Sequence, residues 1–213
     1  MGRTRRISQT PHGAPHPWME VDLAGAGDTR EQILRTAYAL FWRHGINAVG
    51  VDRIVSEAGV AKTSLYRHFG SKEGLVVTVI ERHSDVWTRN WLQPEMERRG
   101  KTPANQLLAI FDAFDDWFHE EPFEGCLFIN TLTESHHSTT PVRDAALAAF
   151  AEIRALIADL ALAAGVRDAK TFAQRVQILM MGSITNALQG NVDAARDAQS
   201  IAEVFLEREL REA

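Results

Sequence analysis

The sequence predicts an all-α protein built as a small three-helix unit followed by a larger helical body. Three observations carry this. Apolar residues recur at three- and four-residue steps along most of the chain, as in Ala146, Phe150, Ile153, Ile157 and Leu160. No stretch of useful length alternates in the two-residue period of a half-buried strand, and the one strand-like run, Cys126 to Thr133, has no second run to pair with, so it is read as helix. Charge is divided rather than spread: residues 29–75 hold seven Lys or Arg against four Asp or Glu, while residues 76–213 hold thirteen against twenty-one. A basic module on an acidic body suits an anionic polymer bound at one end.

Composition narrows the classes. The chain has 213 residues, 45% of them hydrophobic, which allows one large domain or a small one joined to a larger one and excludes wholesale disorder. The single cysteine, Cys126, leaves no disulfide framework and points to a reducing, cytoplasmic setting. No apolar block follows Arg3, Arg5 and Arg6, so no secretory signal is expected. The uncharged run Val176 to Val192 carries Gln177, Ser183, Thr185, Asn186, Gln189 and Asn191, too polar for a membrane span, and no membrane partner is expected.

In order along the chain, residues 1–28 are rich in Pro, Gly, His and Arg without periodicity and read as a flexible arm. Its basic cluster suits either a DNA minor groove or a solvated tail. Asp28 or Thr29 caps a first helix with Ile33, Ala37, Leu40 and Phe41 on one face, stopped by Gly45. Gly50 precedes a second short helix through Val51, Ile54, Val55 and Ala58, ended by Gly59. A third runs from Lys62 to His68. The core of residues 29–75 is expected to be Ile33, Ala37, Phe41, Val51, Ile54, Leu65 and Phe69. Opposite Leu65 and Phe69, the third helix projects Lys62, Thr63, Ser64, Tyr66, Arg67 and His68, donors suited to phosphates and base edges.

Ser71 caps the next helix, along which Val76, Ile80, His83, Trp87 and Trp91 recur, with Pro94 and Gly100 bracketing its expected end. Pro103 to Glu120 follows with Leu107, Phe111, Phe114 and Phe118 on one stripe and Trp117 beside it. The rings Trp87, Trp91, Phe111, Phe114, Phe118 and Phe128 suit an apolar cavity with polar groups such as His83, Asn130 and Thr133, or simply a filled core. The stripes of Pro141 to Gly165 and of Phe172 to Gly190 are assigned either to a four-helix bundle with a second copy, through Phe150, Ile153, Ile157, Leu160, Val176, Met180, Ser183 and Ala187, or to the interior of one chain. Ile201, Val204, Phe205 and Leu206 mark a last helix. Adjacent His136 and His137 lack the three- or four-residue spacing of metal ligands on a helix, and no metal or cofactor is expected. Gly-x-Ser-x-Gly elbows and phosphate-cradling loops are absent from the sequence, so an enzyme has little support.

The segment Gly45 to Leu75 closely resembles the DNA-binding region of the TetR family of bacterial transcriptional regulators. The likeness is carried by Gly45, Val51, Ile54, Ala58-Gly59-Val60, Leu65-Tyr66-Arg67-His68-Phe69 and Ser71-Lys72-Glu73-Gly74-Leu75. Two positions depart from the pattern: Ala61 stands where the family usually has a capping Ser, and Gly50 where it usually has Thr or Ser. Loss of such a cap costs about 1 kcal/mol when Ala replaces it. The resemblance implies a helix-turn-helix DNA-binding domain over residues 29–75 and an effector-binding and dimerisation domain over residues 76–213. It further implies a homodimer on a pseudo-palindromic double-stranded DNA operator, released by a small effector, which the ring content makes apolar or aromatic. Lys62, Thr63 and Ser64 would lie nearest the bases or flanking phosphates, Tyr66 and Lys72 would reach the backbone, and Arg67 and His68 would stand farther along, Arg67 meeting DNA and His68 either meeting DNA or capping the helix. A constitutive or architectural DNA-binding protein without an effector is the competing reading.

Overall fold

The computed structural model describes residues 28–121, 123–135 and 140–211. The expectations for the N-terminal arm and for His136 and His137 fall outside these residues. The described residues contain helices and no strand. Helix α1 is Thr29–His44, α2 Val51–Ala58 and α3 Lys62–Phe69. The Asp28 carboxylate caps α1 by accepting from the Arg30 amide at 3.0 Å. Between α2 and α3, Gly59 adopts φ 65° and ψ 32°, the left-handed conformation that a residue without Cβ enters at least cost, and this makes the sharp helix-turn-helix corner.

Ile33, Ala37, Phe41, Ile54 and Leu65 are buried beneath the three helices. Val51 and Phe69, expected in the same core, are only half-buried. They are the first residue of α2 and the last of α3, where a helix end leaves one side of the ring or branch open to solvent. Phe69 uses that open side: the Arg30 guanidinium lies 5.2 Å from its ring centroid.

Helix α4, Lys72–Asp85, begins at Ser71, whose hydroxyl oxygen accepts from the Gly74 amide. It passes without a linker into a π-helical segment, Val86–Leu92, and then into α5, Gln93–Arg99. The helix ends at Arg99 with Gly100 as its cap, within the expected bracket, and Pro94 is carried inside the continuous helix. Proline cannot donate to the ladder and clashes with the carbonyl four residues back in a regular α-helix. Here the Gln93 amide bonds the Thr88 carbonyl five residues back, so the backbone has already left the α register. Pro94 falls in the first turn of α5, where a missing N–H is tolerated.

The remaining elements are α6, Pro103–Phe118; α7, Leu127–Glu134; α8, Pro141–Ala164; α9, Ala169–Leu188; and α10, Ala194–Arg211. Helix α8 is central and packs on α4, α6, α7 and α9, while α10 covers α6 and α9. Buried Gln177 links two of these helices: its amide donates to the Phe150 carbonyl at 2.9 Å and its oxygen accepts from Arg154 at 2.6 Å. Arg196 holds α10 to α6 through Asp112 and Asp115, each at 2.6 Å.

The packing corrects the expected self-association face. Phe150, Ile153, Ile157, Val176, Met180, Ser183 and Ala187 are buried within the single chain, and Leu160 is half-buried against the same core. A side chain already enclosed by its own protomer has no surface left for a partner, so both stripes are satisfied internally. The apolar side chains left outside on the last helices are others: Ile178 on α9 and Val204 on α10 are 63% and 64% exposed, with Leu188 and Ile201 less so.

Phe114 lies at the middle of the core, fully buried among the rings of Trp87, Trp91, Phe111, Trp117 and Phe118. Phe114→Ala removes that ring and leaves a void, and is expected to lower stability by about 3 to 5 kcal/mol in urea titration.

Candidate nucleic-acid interface and its link to the ring core

Helix α3 turns Leu65 inward, and the three-residue remainder of each turn outward. Lys62, Thr63, Tyr66 and Arg67 are exposed, and Ser64 and His68 are half-exposed. Neither α2 nor α3 has a side-chain cap at its start, in keeping with Gly50 and Ala61 at those positions. Lys62 is engaged with a residue of α2: its ammonium is 2.7 Å from Asp52 Oδ1, and hydrogen bonding and attraction to that carboxylate hold its pKa above the ordinary lysine value. Arg53 on α2 pairs likewise with Glu57 at 2.8 Å. Arg67 approaches His68 Nε2 at 3.4 Å, and the His68 ring stands edge-on to Phe69.

Lys72 departs from its expected place beside a DNA backbone. Its ammonium donates to the Ile46 carbonyl at 2.7 Å, and partial burial pushes its pKa down, against the pull of nearby Glu134. The side chain is thus directed into the joint between α1 and α4 rather than at solvent.

That joint is organised by a residue with no sequence signal of its own. Glu134, the last residue of α7, accepts hydrogen bonds from the Ile46 and Asn47 amides at 3.1 and 2.7 Å, and its carbonyl accepts from the Asn47 side chain at 3.2 Å. Gly45 makes room for it: at φ 80°, a Cβ on this residue would meet Glu134 Oε1 at 2.7 Å. A carboxylate from the body thereby closes the turn that leads into the helix-turn-helix.

Above this contact the head and body share one line of rings. Tyr38 and Trp42 on α1 stack at 5.6 Å, both meet His83 of α4, at 5.6 and 5.5 Å, and His83 meets Phe128 of α7 at 4.8 Å. Phe128 continues to Trp87 and Phe150, and Trp87 to Trp91, Phe114 and Trp117. The six rings expected to line a cavity, Trp87, Trp91, Phe111, Phe114, Phe118 and Phe128, are all brought into this cluster, five of them buried and Trp91 half-buried. Burial pushes the Tyr38 phenol well above its ordinary pKa, with Cys126 and Glu124 adding to the shift, so it remains a neutral member of the line. Cys126 is buried and its thiol is pushed up to about 11, which keeps it protonated and inert near neutral pH. Among the described residues no group of three or more His, Cys, Asp or Glu is placed to hold a metal ion, and no helix is long and apolar enough to cross a membrane.

A helix-turn-helix with a donor-rich outer face, carried on an all-helical body, defines a DNA-binding regulator. Residues 33–79 match the profile of the bacterial regulatory proteins, tetR family, and residues 103–202 that of the tetracyclin repressor-like C-terminal domain. The chain belongs to the TetR family. It is 29% identical over 173 residues to the HTH-type transcriptional activator FasR of Mycolicibacterium smegmatis, a match covering 79% of this chain and 71% of FasR. With the HTH-type transcriptional regulator LmrA of Bacillus subtilis it shares 31% identity over 128 residues, covering 59% of this chain and 67% of LmrA. In fold it matches a TetR-family transcriptional regulator from Streptomyces coelicolor with a TM-score of 0.76, over 85% of this chain and 95% of that one at 24% identity. The reduced form of Escherichia coli NemR gives 0.72, over 83% and 96% at 22% identity. The family and these relatives are transcriptional regulators, not enzymes.

Replacing Glu134 by Ala leaves the Ile46 and Asn47 amides without their carboxylate. A drop in stability of roughly 1.5 to 3 kcal/mol is expected for a charge-assisted hydrogen bond lost at a half-buried site, read by urea unfolding.

Proposed function

We propose that this protein is a ligand-responsive repressor that binds a pseudo-palindromic operator as a homodimer and is released by a small apolar or aromatic effector. The observation that carries this reading is the unbroken line of rings from Tyr38 and Trp42, within the DNA-binding head, to Phe114 and Trp117 in the body. A flat apolar molecule that inserts among these rings has to displace at least one of them, and the line ends on α1, a helix of the head itself. Lys62, Thr63, Ser64, Tyr66 and Arg67 supply the DNA contacts, with Lys62 exchanging its carboxylate partner for a phosphate and Tyr66 resting its ring on the helix and its hydroxyl at a phosphate. Relatives of this chain include the repressors ComR and NemR of Escherichia coli as well as the activator FasR.

Two copies meet through the outer faces of α9 and α10. Ile178, Leu188, Ile201 and Val204 offer exposed apolar surface there, and Gly182, where a Cβ would touch nothing within 4 Å, allows a partner helix to approach closely. This assigns self-association to different residues from the buried stripe of α8 and α9.

Footprinting on the DNA flanking its own gene, repeated across a panel of apolar aromatic compounds, tests the regulatory reading. A two-fold related protected site that is lost with one of the compounds is expected, and protection that no compound relieves favours a constitutive DNA-binding protein. Tyr66→Ala is expected to weaken operator binding about tenfold, within the range for a lost recognition contact, with an unchanged melting temperature. Val204→Glu places a charge in the proposed interface and is expected to convert a dimer to a monomer in light scattering; an unchanged mass rejects this face.

A further inference from the structure

We propose that Asp52 attenuates DNA binding: it holds Lys62 in an internal ion pair, so that a DNA phosphate must displace a carboxylate before the recognition helix engages. The proposal rests on the reading of α3 as the recognition helix, and goes beyond it by giving a DNA-weakening role to a residue that makes no favourable contact with DNA.

The pair joins the first turn of α2 to the first residue of α3, at 2.7 Å. Both side chains are open to solvent, 49% exposed for Lys62 and 82% for Asp52, and an ion pair so exposed adds little to folding. Its placement matters more for binding. The N-terminal residues of a recognition helix enter the major groove first, so Lys62 is the leading cation of α3. A phosphate arriving there meets a cation already neutralised, and a carboxylate of its own sign beside it.

Binding to arbitrary duplex depends almost wholly on phosphate neutralisation and the counterions it releases. A lysine that exchanges one anion for another releases fewer counterions than a free one. Asp52 therefore subtracts from the sequence-independent, phosphate-driven part of the affinity, on any duplex. The second cation of α2, Arg53, is paired with Glu57 on its own helix, and this provides an internal comparison: Glu57 carries the same charge but does not engage Lys62.

The test uses the full chain and a random-sequence duplex, with fluorescence anisotropy over about 50 to 200 mM salt, the range in which phosphate contacts dominate. Asp52→Asn is expected to tighten binding roughly two- to fivefold, the range an exposed ion pair allows, and to steepen the dependence of log K on log salt by up to about 0.9, one phosphate contact. Lys62→Gln weakens binding and flattens the slope. The double variant Asp52→Asn with Lys62→Gln matches Lys62→Gln alone. Unchanged affinity and slope in Asp52→Asn, with Lys62→Gln weakened, overturn the proposal and leave the recognition helix in place. Equal tightening by Asp52→Asn and Glu57→Gln also overturns it, because the effect is then that of net charge and not of the pair. If Lys62→Gln changes nothing, Lys62 does not meet DNA, and both the proposal and that part of the recognition face fall. Asp52→Ser, which retains a hydrogen-bonding group at the start of α2, repeats the measurement should the Asn variant disturb the helix, with circular dichroism melting as the control on folding.

Discussion

Tyr38 and Trp42 belong to the head, His83 to the helix leaving it and Phe128 to the body, and their rings meet at 4.8 to 5.6 Å. Close-packed aromatic groups interlock by shape, and one cannot rotate past another without opening a void that loses contacts on every side. The seam therefore fixes the angle at which α1, and with it the helix-turn-helix, sits on α4. Everything the recognition face can do depends on that angle, because a helix displaced by a few ångströms no longer brings its first turn to the groove.

The long helix from Lys72 to Arg99 serves the same constraint from the body side. Its first turns belong to the head core through Leu75, Val76 and Val79, and its later turns present Trp87 and Trp91 to the rings of α6. A regular α-helix repeats every 3.6 residues, and the wider turn at Val86–Leu92 resets which residues face inward. The same widening lets Pro94 stand in a continuous helix. Local register and aromatic packing are thus settled together, in one segment.

Much of this was legible in the residues. The outward set on α3 follows from the inward positions of Leu65 and Phe69, and the turn at Gly59 from the need for a left-handed residue between two short helices. Caps at Asp28 and Ser71 stood at the positions where side-chain acceptors begin helices. The features that escaped are long-range. Glu134 meets a turn 87 and 88 residues earlier, and a lone Glu at a helix end carries no signal of its distant partner. Lys62 and Lys72 read alike in sequence as exposed cations, yet one is paired with Asp52 and the other turned to the Ile46 carbonyl. The period of α8 and α9 marks an apolar stripe, but periodicity cannot say whether an apolar face meets its own chain or another, and the depth of the helical body buries this one within the chain.

The fit between Gly45 and Glu134 has a bearing on how such regulators exchange parts. A glycine that leaves space for a carboxylate, and a carboxylate that closes the turn beyond that glycine, form one lock with its halves in different regions of the chain. Recombination that joins this head to another body brings the glycine without its acid, and the Ile46 and Asn47 amides lose that acceptor at the graft. A chimera of this protein therefore gives up a charge-assisted contact unless its new body presents an acceptor at the end of the corresponding helix, so the modularity of head and body is limited at this one seam by chemistry as well as by shape.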